Sequence, residues 1–171
     1  EEVLKMGQAD MCGMTRAIIS DPMMPLKAAS GDIDDIRACV ACNQACIGHM
    51  LNACSISCIQ RPETGRELQY ANISKTKLKK SILVAGGGPA GVKAACIAAD
   101  RGHRVTLCEK SNSLGGQINL AQSLPGRTEF GGIITNLNKE LKKTTVNVRF
   151  NSFVNLDLIE ELAPDVVVAA T

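Results

Sequence analysis

The chain has 171 residues, with 19 Lys and Arg against 17 Asp and Glu, one Tyr, three Phe and no Trp. The near-balanced charge and the lack of aromatics in its one basic run, "KTKLKK" at 75–80, argue against a nucleic-acid partner and leave that run as a solvated linker. No stretch reaches the ~18 apolar residues of a membrane span, and "EEVLKMGQAD" lacks the basic and apolar regions of a signal peptide, so a cytoplasmic protein is expected.

The pattern opens helix-like and then predicts a short buried strand at "ADMCGM" (9–14). A turn follows at Thr15 and Arg16. A helix is expected to begin after Asp21-Pro22, with Pro at its first position, and to stop near Gly31. Residues 32–70 hold five of the eight cysteines and end in the turn-rich "RPETGRE". Residues 71–80 read as a polar connector.

From Ser81 strands and helices alternate. "SILVAG" is a strand, "PAGVKAACIAADRG" a helix, "RVTLCE" a strand and "SNSLGGQ" a loop. "EFGGIITNLNKELKKT" is a helix, "VNVRF" a strand, "LDLIEEL" a helix and "DVVVAA" a strand. This alternation implies an α/β fold with a parallel, doubly wound sheet. Neither end of the sequence has the look of a natural terminus, and a piece of a longer polypeptide is expected.

The cysteine run carries the first chemistry. Cys39, Cys42 and Cys46 are spaced C-x2-C-x3-C, and Cys58 follows. Clustered cysteines in a cytosolic chain point to metal binding rather than to disulfides. Zinc ribbons show two similar C-x2-C knuckles. One compact triad plus a distant fourth thiolate instead suits a cubane cluster. Thiolates serve both metals, so ligand type does not separate them. Cys54 and His49 stand nearby as alternative ligands, with packing and an ordinary polar role as their plainer readings. Cys12, Cys96 and Cys108 read as small buried hydrophobes.

The second motif is "VAGGGPAG", which contains Gly86-x-Gly88-x-x-Gly91. It follows a predicted strand and opens a predicted helix, the context that makes this spacing a dinucleotide fingerprint. Gly86 permits the tight turn. Gly88 lets backbone approach a pyrophosphate at the helix N-terminus, and Gly91 permits close helix–strand packing. Pro89 suits the first helical turn. Glu109, at the end of the second strand, is placed to accept hydrogen bonds from ribose hydroxyls and to repel a 2′-phosphate, which favours FAD or NAD(H) over NADP(H). In two-dinucleotide flavoproteins a loop like "LGGQ" (114–117) lies on the flavin side, which favours FAD.

Together, "GQADMCGMTRAIISDPMMPLKAASGDIDDIRACVACNQACIG…CIQRPETGRE" and "ILVAGGGPAGVKAACIAADRGHRVTLCEKSNSLGGQINLA" resemble the iron–sulfur flavoproteins of the 2,4-dienoyl-CoA reductase and trimethylamine dehydrogenase type, within the NADH:flavin oxidoreductases related to old yellow enzyme. The resemblance spans essentially the whole chain. It implies that residues 1–31 are the end of an FMN-binding TIM barrel and that 32–70 are the 4Fe-4S segment. It implies a linker at 71–80 and, at 81–171, the first half of a Rossmann-like FAD-binding domain.

Carried over residue by residue, the family's cluster ligands fall on Cys39, Cys42, Cys46 and Cys58. Thr15 and Arg16 match the pair that holds the FMN phosphate, with Thr15 standing where the family usually has Gly. Pro89, Ala90, Glu109, Lys110, Gly116 and Gln117 match the FAD-binding stretch, and Arg127 and Val154 lie where further FAD contacts occur.

The activity implied is a relay. NAD(P)H delivers hydride to FAD, and single electrons pass through the 4Fe-4S cluster to FMN, which reduces an enoyl-CoA-like substrate. In the amine dehydrogenase branch the flow starts at the substrate. The family's acid and base lie on barrel strands upstream of residue 1, so no catalytic residue is assigned, and these residues alone are not expected to turn over substrate. The small-molecule substrate would bind through that barrel, and a homo-oligomer is compatible with the reading. Competing readings are an electron-input module like the small subunit of glutamate synthase and a zinc-stabilised nucleotide-binding module without redox chemistry.

Overall fold

The computed structural model describes residues 2–70 and 72–171. Ala71, the first residue of the expected connector, and Glu1 lie outside the described residues. The chain divides into two compact units, 1–65 and 66–171.

In the first unit the elements are short: α1 (Glu2–Lys5), α2 (Thr15–Ser20), α3 (Met24–Ser30), a 3-10 turn at Ile33–Asp35 and α4 (Ile47–Leu51). The expected strand at 9–14 does not form. A strand exists by pairing, and among the described residues none pairs with this segment; Met11 is 84% exposed. Two boundaries also differ from the expectation. Thr15 and Arg16 are the first two residues of α2 rather than a turn, and α3 starts at Met24 with Pro25 in its first turn. Asp21 caps the intervening turn instead, its Oδ1 accepting from the Met23 amide at 3.1 Å. α3 stops where expected, at Gly31 with φ 82°, a left-handed conformation that glycine adopts without penalty.

This unit is held by a buried polar network rather than by a large apolar core. Ser20, Asp21, Gln60 and Thr64 are all buried. Ser20 Oγ donates to the Arg37 carbonyl at 3.0 Å, and Thr64 Oγ1 donates to the Ile19 carbonyl at 3.1 Å. Asp21 Oδ2 accepts from Lys27 Nζ at 2.7 Å and from the Arg37 amide at 2.9 Å. Buried polar atoms cost free energy unless paired, and pairing these ones fastens the cysteine segment to the end of α2.

The second unit starts with α5 (Glu67–Tyr70) and continues through β1 (Ser81–Ala85), α6 (Pro89–Asp100), β2 (Arg104–Cys108) and α7 (Gln117–Ala121). A 3-10 turn at Thr128–Phe130 leads into α8 (Gly131–Lys142), β3 (Asn147–Arg149), α9 (Leu156–Leu162) and β4 (Val166–Ala169). The four strands form one parallel sheet in the order β3-β2-β1-β4. β1 is central, and Ile82 to Ala85 are buried in an unbroken run, as a parallel strand covered on both faces requires. β4 alternates half-buried and exposed residues and pairs only with β1. α6 packs on β1 and β2, and α8 packs on α6. Leu83, Val84, Val92, Ala95 and Leu107 are at most 1% exposed and form the centre of this core. The alternation read from the sequence is therefore the alternation observed, with α7 as an added short helix. Among the described residues no helix is long and apolar enough to cross a membrane.

Candidate functional site

In the second unit the chemistry gathers at the carboxyl ends of β1 and β2. The strand order reverses between β1 and β4, and open parallel sheets bind ligands beyond the carboxyl ends of strands at such a reversal. The three glycines of the fingerprint are there for different reasons. Gly86 has φ 110°, and a Cβ on it would collide with the Ala170 carbonyl. A Cβ on Gly91 would collide with the Gly86 carbonyl. Both are required by the protein's own packing. Gly88 is different. Its φ of −70° suits any residue, and a Cβ there would meet no atom within 4 Å. The open space over Gly88 is a cradle at the start of α6, whose first residues are Pro89 and Ala90. Backbone amides at a helix start attract phosphate.

Glu109 lies beside this turn and is 6% exposed. Its Oε2 accepts from the Gly87 amide at 2.6 Å, and its Oε1 accepts from the Ser111 amide at 2.8 Å with Ser111 Oγ at 2.8 Å. Burial pushes the carboxyl pKa up. The Ser111 amide, the Gly87 amide, the Ser111 hydroxyl and the neighbouring Lys110 charge outweigh it, and the net pKa is lowered. Glu109 is thus held as a carboxylate. Lys110 itself is exposed.

The "LGGQ" loop closes over the same turn. The Gly115 amide donates to the Gly87 carbonyl at 2.8 Å, and a Cβ on Gly116 would lie 3.3 Å from Gly88 Cα. Gln117 begins α7 and is exposed. Val154 belongs to a segment tied to the end of β2, where the Ser152 amide donates to the Glu109 carbonyl at 2.9 Å and the Asn151 amide to the Ser111 carbonyl at 3.0 Å. Gly86, Gly88, Pro89, Ala90, Gly91, Glu109, Lys110, Gly116, Gln117 and Val154 are therefore brought to one end of the sheet or to segments bonded to it. Among the described residues no hydrogen bond or ion pair joins Arg127 to them; its guanidinium lies 5.5 Å from the centre of the Phe130 ring. Ser111 was missed in the sequence, although a hydroxyl two residues beyond a strand-end carboxylate is a signal that can be read as a brace.

In the first unit Cys39, Cys42, Cys46 and Cys58 line one cavity together with Arg16, Asn43 and Gln60. All four thiols are partly buried, and none is in a disulfide. The Ala41 amide donates to Cys39 Sγ at 3.4 Å, the kind of contact that stabilises a thiolate and tunes a cluster. Ala41 and Asn43 have φ of 52° and 55°, so the loop coils tightly between the first three cysteines. Gln60 joins its two arms, Nε2 donating to the Ala38 carbonyl at 2.8 Å. Cys54 and His49 do not line the cavity. The Cys54 thiol is exposed and donates to the Asn52 carbonyl at 3.4 Å, and His49 Nδ1 lies 3.0 Å from the Ser55 carbonyl. Cys12 is exposed, against the expectation of burial, because the strand expected to bury it is not formed; Cys96 and Cys108 are buried as expected.

Among the described residues no group of three or more Cys, His, Asp or Glu side chains is drawn together closely enough to hold a metal ion as they stand. Thiolates suit iron–sulfur clusters and zinc alike, so the donor set that lines this cavity is chemically open to either. Arg16 projects from α2 to this loop, its Nη1 donating to Asn43 Oδ1 at 2.8 Å. Thr15, the first residue of α2, is exposed.

Residues 81–155 match the family described as FAD dependent oxidoreductase. The whole chain is similar to the NADH oxidase of Thermoanaerobacter brockii, at 39% identity over 172 aligned residues that make up 26% of that protein. Among solved structures, a 2-naphthoyl-CoA reductase matches with TM-score 0.92 and 35% identity over 99% of this chain and 26% of its own. Histamine dehydrogenase from Rhizobium sp. 4-9 matches with TM-score 0.91 and 30% identity, over 99% of this chain and 25% of its own. Residues 81–155 are thus those of an FAD-dependent oxidoreductase family, and the chain spans about a quarter of the length of the relatives it is similar to.

Proposed function

We propose that this chain is the electron-carrying segment of an NAD(P)H-dependent iron–sulfur flavoenzyme. The observation that carries the reading is the pairing, in one chain, of a glycine cradle left open over Gly88 with a cavity walled by four cysteines. FAD would be held in the second unit, on a Rossmann-like sheet. Gly88, Pro89 and Ala90 would take its pyrophosphate, Glu109 its ribose, and the 115–117 loop its flavin side. Cys39, Cys42, Cys46 and Cys58 would bind a 4Fe-4S cluster. When bound, the flavin takes hydride as an electron pair and the cluster carries one electron at a time, which together connect a two-electron donor to a distant FMN.

The residues here bind and tune. Glu109 presents a fixed negative charge that disfavours a phosphorylated ribose. The Ala41 amide and the bracing by Gln60 hold Cys39 and Cys58 in place. Residues 1–31 would contribute the end of an FMN-binding barrel, with Thr15 and Arg16 near the FMN phosphate. Likeness to a naphthoyl-CoA reductase supports reduction of an unsaturated acyl-CoA-like substrate. Likeness to histamine dehydrogenase supports a second reading, in which an amine is oxidised and electrons leave through the cluster.

Anaerobic purification followed by iron, acid-labile sulfide, zinc and flavin analysis tests the proposal. About four iron and four sulfide per chain is the expected result. One zinc and no sulfide would remove the relay and leave a zinc-stapled nucleotide-binding module. Bleaching of the cluster by NADH or NADPH supports the reductase direction; bleaching by amines alone supports the second.

A further inference from the structure

We propose that Asn119 is the positioning residue of the 114–117 loop and, through that loop, of the flavin half of the bound dinucleotide, a role that rests on the FAD reading above. One peptide unit of the loop is held at both ends. The Leu114 carbonyl accepts from Asn119 Nδ2 at 2.9 Å, and the Gly115 amide, the other end of the same peptide, donates to the Gly87 carbonyl at 2.8 Å. A trans peptide is planar, with its carbonyl and its amide pointing opposite ways. Fixing both therefore fixes the plane. One bond ties the loop to α7, and the other ties it to the glycine turn.

Asn119 does this in place of a cap. α7 begins at Gln117, and Gly116 before it has no side chain with which to satisfy the helix start. Asn119, in the first turn, reaches back past Gly116 to the Leu114 carbonyl. The next carbonyls turn the same way. The Ile118 amide donates to the Gly115 carbonyl at 3.1 Å, and the Asn119 amide donates to the Gly116 carbonyl at 3.2 Å. The carbonyls of Leu114, Gly115 and Gly116 are thus gathered on the helix side, while Gly116 lies so close to the turn that a Cβ on it would be 3.3 Å from Gly88 Cα.

The Asn119 side chain is itself held. It is half-buried, and its Oδ1 accepts from Gln122 Nε2 at 3.4 Å. Gln122 in turn fills the space left over Gly131 at the start of α8, where a Cβ would collide with Gln122 Oε1. A Cβ on Gly115, which has φ 123°, would collide with the Asn119 amide group. The loop therefore makes room for this one side chain.

The consequence falls on one half of the cofactor. Adenosine and two phosphates are common to FAD and ADP, whereas the ribityl chain and the flavin ring belong to FAD alone. A loop that seats the flavin side is felt by FAD and not by ADP. Releasing the Leu114 carbonyl frees the peptide plane to turn, and the loop must then be ordered at the moment of binding, which weakens affinity. Asn119 acts through the loop; it exchanges no proton or electron.

The test is calorimetric titration of FAD and of ADP into the flavin-free protein and its variants. Asn119→Ala removes the donor, and Asn119→Asp sets a carboxylate oxygen against the Leu114 carbonyl. Each is expected to weaken FAD binding by about tenfold, the equivalent of one lost buried hydrogen bond, with ADP affinity changed by less than about twofold. Gln122→Ala loosens Asn119 without touching the loop and should lower the FAD-to-ADP affinity ratio in the same direction; it decides where the Asn119 variants do not fold. Equal losses of FAD and ADP affinity would mean a general effect on the turn and would overturn the proposal. An unchanged affinity ratio in folded variants would overturn it too. A parent that binds ADP as tightly as FAD would overturn it and leave an adenine-nucleotide site standing. A parent that binds neither would overturn the FAD reading together with it.

Discussion

The Gly87 amide donates to Glu109 Oε2 at 2.6 Å, which ties the middle of the glycine turn to the carboxylate at the end of the neighbouring strand. One side chain therefore braces the turn and marks the ribose position. Glu109→Gln would set an NH2 group against a donor on one side. It is expected to cost about 1–3 kcal/mol, the penalty for a buried polar group left unpaired, and to weaken FAD binding. Ser111→Ala removes one donor and leaves the backbone amide, so a loss of about 1 kcal/mol is expected. Urea denaturation of the flavin-free proteins, with FAD titration by fluorescence, checks both.

Gln60 bridges the two arms of the cysteine loop through the Ala38 carbonyl at 2.8 Å, and its Nε2 also lies 3.4 Å from Ser20 Oγ. Gln60→Ala is expected to cost about 1–2 kcal/mol in the metal-free protein and to speed iron loss to a chelator. The rate of bleaching under EDTA reads the second effect. A variant that keeps parental stability and bleaching rate would show that the bridge does not hold the loop.

Much of the second unit was legible because its signals are local. Ile82 to Ala85 are continuously apolar, and Gly102 lies just past the end of α6. Each of those rules needs only a few neighbouring residues. The first unit was less legible. "ADMCGM" has the composition of a buried strand, but pairing is decided by chain that is distant in sequence or absent from this stretch. The four cysteines were readable from spacing. The network of Ser20, Asp21, Gln60 and Thr64 was not, because its bonds reach across up to 45 residues of chain and its members look individually like surface residues.

Asp21 gives that network a pH dependence. Burial pushes its pKa up, but Lys27 at 2.7 Å, the Arg37 amide and the Met23 amide outweigh burial, and the net pKa is lowered. A carboxyl whose folded pKa lies below its unfolded value contributes stability above the unfolded pKa and loses it as pH falls through the folded one. Stability of the first unit should therefore be steady at neutral pH and decline on acidification below the usual Asp range. Asp21→Asn should be less stable by about 1–3 kcal/mol at pH 7 and show a flatter acid limb in denaturation curves.

The cysteines should separate into three classes under alkylation. Cys12 and Cys54 are exposed and should react in the native protein. Cys108 is 1% exposed, and Cys96 is 3% exposed with its thiol pushed up to about 11, first by burial and then by Glu140. Both should stay unmodified until denaturant is added, since the thiolate is the reactive form. Cys39, Cys42, Cys46 and Cys58 should be protected only while iron is present. Mass spectrometry of iodoacetamide adducts before and after chelation checks the pattern, and modification of Cys58 at full iron content would remove it from the ligand set.

The glycine turn supplies a test that separates folding from binding. A methyl on Gly91 meets the Gly86 carbonyl, so Gly91→Ala should overpack the helix against the turn and cost about 1–3 kcal/mol. A methyl on Gly88 meets nothing, and its φ of −70° is open to alanine. Gly88→Ala should therefore leave the flavin-free protein as stable as the parent or more so by up to about 1 kcal/mol, through a stiffer unfolded chain. The same methyl occupies the space assigned to the pyrophosphate, so FAD affinity should fall at least about tenfold, or ~1.4 kcal/mol. Normal stability with lost FAD binding is the signature of a ligand cradle. Normal stability with parental FAD affinity would mean that the cofactor phosphates lie elsewhere and that Gly88 serves only the turn.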